Sequence, residues 1–202
     1  MAPGRLSVSA AVEGLVDEAV VRRLLEDVGA VAGPVYGKGG KQALHQKIAG
    51  YNHAAQFSPW VVLVDLDDDA ECAPPFREAW LPQPAPKMLL RVAVRAVEAW
   101  LLADREHLSA FLGIPASRIP LNPDEVASPK RAMVELAARS RRREIREDMV
   151  PRPGSGRTVG PAYSSRLIEF ASDAAHGWRP AIAAGRSDSL RRCLHRLRRL
   201  AQ

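Results

Sequence analysis

An α/β fold, with a mainly parallel four-stranded sheet flanked by helices, is predicted by three features of the 202-residue sequence. Strand-like and helix-like periods alternate along its first half, as in successive βαβ units. One run, Val61-Val62-Leu63-Val64, is apolar at four consecutive positions, as a strand buried on both faces is. Acidic residues follow strand-like runs at Glu13, Asp65 and Glu98. Open parallel sheets carry ligand and catalytic groups at the carboxyl ends of their strands, so these three carboxylates are expected on one edge. The expected division is an α/β domain over residues 1–105 and an Arg-rich C-terminal helical extension over 106–202, packed on it.

Leu6 to Val12 reads as the first strand, and Gly14 lets the chain turn sharply out of it. Val16, Val20, Leu24 and Val28 are four apart, with Val21 and Leu25 widening the stripe, which predicts an amphipathic helix. Asp17 and Glu18 suit its first turn and Gly29 its stop. Val31 to Tyr36 is a short second strand, weakened by Gly33 and Pro34. Gly37-Lys38-Gly39-Gly40-Lys41 lacks the Walker A spacing. It is either a plain flexible connector or a loop whose N–H groups, with Lys38 and Lys41, hold phosphate. A helix over Lys41 to Ala54 leads to the central strand, Trp60 to Val64.

Five prolines between Glu71 and Lys87 predict an irregular excursion, with one helical turn at Phe76 to Trp80. Met88 to Val94 is the fourth strand, and a helix starts within Arg95 to Asp104. Leu108 to Ile114 is helical. Ser128 and Pro129 read as the cap and first position of a further helix, with Ala132, Met133, Leu136 and Ala137 as its stripe. A run of arginines follows, then a loop over Pro151 to Pro161 and helices over Tyr163 to Ala175 and Ser189 to Leu200. The last sets Leu190, Leu194, Leu197 and Leu200 against an arginine-rich side.

Charge divides the chain. From Met1 to Lys130 there are 13 Lys and Arg against 16 Asp and Glu; from Arg131 to Gln202 there are 16 Arg against 7 Asp and Glu. An acidic front and a basic back fit a metal site beside a surface for a polyanion. Solvated faces on Arg-rich helices account for the same bias. The candidate nucleic-acid contacts are Lys38, Lys41, Arg141, Arg142, Arg143, Arg191 and Arg192. Cys72 and Cys193 form no metal-ligand spacing, so a reducing, cytoplasmic compartment is expected. No apolar run reaches the roughly 18 residues of a membrane helix, and Met1 to Leu15 makes a poor signal peptide.

Asp65 and Asp67 are two apart, so on an extended segment they point the same way. Hard oxygen donors held together suit Mg²⁺ or Mn²⁺, with Glu13 as the third candidate ligand. An Asp-rich turn explains the same residues without a metal. Glu98 is either a catalytic carboxylate or the partner of Arg95 or Arg91 in a salt bridge.

The order strand-Glu, helix, strand, helix, strand-Asp-x-Asp, strand resembles the Toprim fold of topoisomerases, bacterial primases and the overcoming-lysogenization-defect nucleases. Glu13 and Asp65-Leu66-Asp67 carry that resemblance, over roughly Leu6 to Asp104. The chain is more closely similar to small stand-alone bacterial Toprim-like proteins through Glu13-Gly14, Glu18 and Glu98-Ala99-Trp100-Leu101-Leu102-Ala103-Asp104. Pro129-Lys130 and Tyr163-Ser164-Ser165 add to it. The resemblance implies a Mg²⁺-dependent nuclease, often encoded beside an ATPase in loci associated with phage defence. Nothing resembles the tyrosine of a topoisomerase, and 202 residues leave no room for the accompanying domains of a primase. In the nuclease reading Glu13, Asp65 and Asp67 bind metal, Glu13 and Glu98 are catalytic, and Lys38 or Lys130 offsets charge on the phosphate. Two other readings stay open: a non-catalytic module docking on an ATPase, and a small-molecule phosphohydrolase.

Overall fold

The chain forms one sheet from β1 (Ser7–Val12), β2 (Val31–Gly37), β3 (Trp60–Asp65) and β4 (Met88–Ala93), in the order β2-β1-β3-β4. Every pairing is parallel, as expected for the α/β reading. This computed structural model describes residues 5–201. The apolar run of β3 is buried from both sides. Val61 and Leu63 enter one hydrophobic cluster, and Val62 and Val64 enter the other. That alternation is the pleat of a strand in the middle of three layers.

Each strand is followed by a helix: α1 (Leu15–Asp27), α2 (Lys41–Ala54), α3 (Ala73–Trp80) and α4 (Val97–Leu102). Val20 and Leu24 of α1 belong to one cluster, while Leu44 of α2 and Phe76 of α3 belong to the other, so the helices lie on opposite faces. The chain runs outward from β1 to β2, then crosses back to place β3 on the other side of β1. The reversal opens a crevice between the carboxyl ends of β1 and β3, where such sheets bind ligands. At the end of β2, Gly37 has φ +90°, and a Cβ there would lie 2.1 Å from the Val12 carbonyl oxygen. Only glycine lets β2 turn away so close to β1.

The remaining helices are α5 (Arg105–Leu112), α6 (Pro129–Ala138), α7 (Arg143–Met149), α8 (Tyr163–Ser172), α9 (Pro180–Ala183) and α10 (Asp188–Leu200). They share the α1 cluster through Leu136, Met149, Leu167, Phe170 and Leu194. Two tryptophans knit them to α4. Trp178 Nε1 donates to the Trp100 carbonyl at 3.0 Å, and Trp100 Nε1 donates to Ser189 Oγ at 2.6 Å. Both rings are fully buried, so these indole N–H groups need the partners they have. Asp104, also fully buried, accepts from two of the three guanidinium nitrogens of Arg179, Nε at 2.9 Å and Nη2 at 2.6 Å.

Some expectations change. The arginine run contains α7, held by Ile145 and Met149, four apart and both buried. Ser128 stands at the predicted cap position of α6 but makes no side-chain cap bond. The helix expected to reach Ala175 stops at Ser172, because Asp173 Oδ1 accepts from the N–H groups of Ala175 and His176 and closes a turn. Trp178→Ala is expected to cost about 3–5 kcal/mol, by emptying a fully buried site and orphaning the Trp100 carbonyl. Urea unfolding followed by circular dichroism measures it, and a loss below about 1 kcal/mol would mean that the C-terminal helices do not depend on this contact.

Candidate active site

Glu13 is the first residue after β1, and Asp65 is the last of β3. Glu13 Oε1 accepts a hydrogen bond from the Asp65 backbone N–H at 2.7 Å, which ties the two strand ends together across the crevice. Asp65 Oδ1 in turn accepts from the N–H of Val97 at 3.0 Å and aligns the start of α4. Glu98, the next residue, is 3% exposed. Its Oε1 accepts from the Tyr163 hydroxyl at 3.2 Å and lies 3.8 Å from Lys130 Nζ. Neither Arg95 nor Arg91 pairs with it. Arg95 instead donates to the carbonyl oxygens of Asp67 and Ala70.

Asp17 completes the group. It is buried in the first turn of α1, and its Oδ1 has no hydrogen-bond partner. Sequence reasoning assigned it to the helix dipole and missed this role. A signal was present, because Asp17 lies four residues before Val21 and eight before Leu25, on the buried side of the helix. Gly14 makes room for it: a Cβ there would come within 3.1 Å of Asp17 Oδ2. Asp17, Asp65, Glu98, Lys130 and Tyr163 line a pocket of about 300 Å³ over the crevice.

These carboxylates are desolvated and mutually repelling. Burial pushes Glu13 up from 4.5 to about 7, against the bond from the Asp65 N–H. Burial, and then the charge of Glu98, pushes Asp17 from 3.8 to about 6. Asp65 is raised well above its ordinary value by burial and by Asp17, Glu98 and Glu13. The Tyr163 hydroxyl is raised by burial and by the neighbouring Glu98, so it stays protonated and serves as a donor. Glu13, Asp17 and Asp65 thus bind protons more tightly than free carboxylates do.

Asp67 departs from the geometry expected of it. The strand ends at Asp65, and Asp67 has φ +48°, so the alternation that would align the two side chains is broken. Its carboxylate accepts from Lys41 at 2.7 Å, and Asp69 accepts from the same ammonium at 2.7 Å. Lys38 is bonded to Glu18 at 3.0 Å and to the Val35 carbonyl, outside the pocket wall. Arg141 and Arg142 border a different hollow, beside Gly113, and Arg143 pairs with Glu147. Arg191 and Arg192 both pair with Asp188. Among the described residues no three His, Cys, Asp or Glu side chains stand in a ready metal-binding arrangement. The donors match a hard divalent ion in kind and charge.

Glu13 and Asp17 bind protons more tightly in the folded chain than in the unfolded one. Their stabilisation is full below the ordinary carboxylate range and is lost as pH rises to about 6 for Asp17 and about 7 for Glu13. Metal-free Asp17→Asn is therefore expected to gain on the wild type as pH rises from 4 to 8, by roughly 1–2 kcal/mol after solvent screening. Urea melts in a chelator across that range measure the difference, and a difference independent of pH would contradict the assignment.

Compared with known proteins, the chain matches no family model, no curated protein and no solved structure.

Proposed function

We propose that the chain is a metal-dependent phosphodiesterase of the Toprim-like kind, a nuclease acting at the crevice between β1 and β3. One observation carries the reading. Three carboxylates, Asp17, Asp65 and Glu98, line one pocket at the switch point of a parallel sheet with one ammonium, Lys130, and Glu13 is tied to Asp65 at the adjoining strand end. A purely structural cluster has no use for an unbonded Asp17 oxygen or for so many desolvated acids.

Glu13 and Asp65 would hold Mg²⁺ or Mn²⁺, with Asp17 and Glu98 beside Asp65 in the pocket lining and Asp67 available if Lys41 releases it. The metal would supply charge stabilisation at the phosphate and an acidified water. The protein's own groups supply the rest. Lys130 offsets the charge of the incoming phosphate, and the Tyr163 hydroxyl orients Glu98. Asp17, with one oxygen unbonded, takes the proton of the attacking water. The Asp65–Val97 bond keeps the carboxyl aimed while α4 is anchored by the buried Trp100.

Hydrolysis of a small phosphate ester remains a second reading, favoured by the pocket's volume of about 300 Å³, at the lower end for ligand sites. The docking-module reading loses support. Leu190, Leu194 and Leu197, the stripe that suited a partner, are buried in the chain's own core. An ATPase partner and a role in phage defence rest on the sequence resemblance alone.

The test is cleavage of labelled DNA and RNA oligonucleotides, and of nucleoside phosphates, with Mg²⁺ or Mn²⁺. Polymer cleavage is expected in the wild type and is expected to fall at least about 100-fold in Asp65→Asn, and about tenfold or more in Lys130→Ala, as for lost electrostatic groups at a reacting phosphate. Release of phosphate from nucleotides alone would favour the second reading. Equal activity in wild type and Asp65→Asn would end both.

A further inference from the structure

A second hollow is larger than the carboxylate pocket: a groove of about 780 Å³ along the open edge of β4, between α3 and α10, with no lining residue in common with that pocket. Five arginines line it. Arg77 comes from α3, Arg91 from the middle of β4, and Arg191, Arg192 and Arg196 from α10. Two carboxylates also face it, and both are engaged. Asp188 pairs with Arg191 and Arg192, and Asp124 accepts from the Ser187 hydroxyl and the Ser189 N–H.

Arg77, Arg91 and Arg196 are left. None has a carboxylate within salt-bridge distance among the described residues. Arg91 Nε is buried with no hydrogen-bond partner. The three guanidiniums are close enough to repel, since Arg77 is lowered by burial and then by Arg91 and Arg196. Three elements thus bring together guanidiniums that have no carboxylate within salt-bridge distance among the described residues. Planar guanidinium forks match the paired oxygens of a phosphate. No Phe, Trp or Tyr lines the groove, and His195 is the one aromatic ring in its lining, so the five guanidiniums outweigh any stacking surface for bases.

We propose that the Arg77–Arg91–Arg196 groove binds the phosphodiester backbone of a nucleic-acid strand, independently of sequence. The proposal rests on the phosphodiesterase reading and extends it. Val94 lines the groove and Val97, three residues on, lines the carboxylate pocket, so the two hollows border the same short stretch of chain. The grip on substrate is thereby assigned to Arg77, Arg91 and Arg196, while Arg191 and Arg192 spend much of their charge on Asp188.

Binding of a short fluorescent oligonucleotide to the full chain, in a chelator so that no cleavage intervenes, tests this by anisotropy over a range of salt concentrations. Arg77→Ala/Arg196→Ala is expected to weaken binding about tenfold or more and to lower the log–log salt slope by about two, for oligonucleotides of unrelated sequence. Arg118→Ala/Arg139→Ala, which removes the same charge from exposed positions, is expected to change binding less than about twofold. Arg91→Lys keeps the charge but loses the fork, and is expected to weaken binding without lowering the slope. Equal losses in the two double variants would reduce the effect to net charge and overturn the site. So would no loss in the groove variant, or stronger competition by polyglutamate than by an oligonucleotide of equal charge. Groove binding without metal-dependent cleavage would sink the catalytic reading and leave the groove standing. Cleavage with groove variants unimpaired in binding would do the opposite.

Discussion

The bond from the Asp65 N–H to Glu13 Oε1 is the constraint on which the carboxylate edge depends. It joins neighbouring parallel strands just past their last ladder contact, where the sheet would otherwise splay. It also uses a carboxylate as the acceptor, so the tie brings a charge into a desolvated crevice. Asp65, fixed by that bond, passes the constraint to Val97, and the next residue, Glu98, is set opposite. Four acidic side chains are therefore held by backbone contacts and packing, in spite of their repulsion.

The rest of the fold supports this arrangement. Helices α1 and α4 carry Asp17 and Glu98 on buried turns, and both lie in the cluster that holds Trp100, Trp178 and the leucines of α10. Tyr163 opens α8, and Lys130 lies in the first turn of α6, so the C-terminal half of the chain supplies the groups that meet Glu98. The helical half closes the site as well as covering the sheet. The basic groove lies at the far edge of the same sheet, where β4 has no outer neighbour.

Much of this was legible in the residues. The four strands, the Lys41 to Ala54 helix and the single edge for Glu13, Asp65 and Glu98 follow from periodicity and from the rule for parallel sheets. Asp17 was hidden because a first-turn acid has a sufficient local explanation in the helix dipole, and burial depends on what packs against the helix later. Asp67 was misplaced because a period of two was carried past the end of β3, where φ turns positive. Helix α7 was hidden because Ile145 and Met149 are the only buried anchors in seven residues, too few for a period. Arg77, Arg91 and Arg196 lie in three separate elements, and no linear pattern joins them.

The central claim is that the crevice stores protons which a divalent cation replaces. Titration calorimetry of the full chain with Mn²⁺ near pH 6.5, repeated in buffers of different ionisation enthalpy, counts the protons released. The account predicts proton release on binding that shrinks as pH is raised from 6.5 through the range where Asp17 and Glu13 titrate, and no binding-linked release in Asp65→Asn. Binding with no proton release at pH 6.5, or the same release from Asp65→Asn, would contradict it.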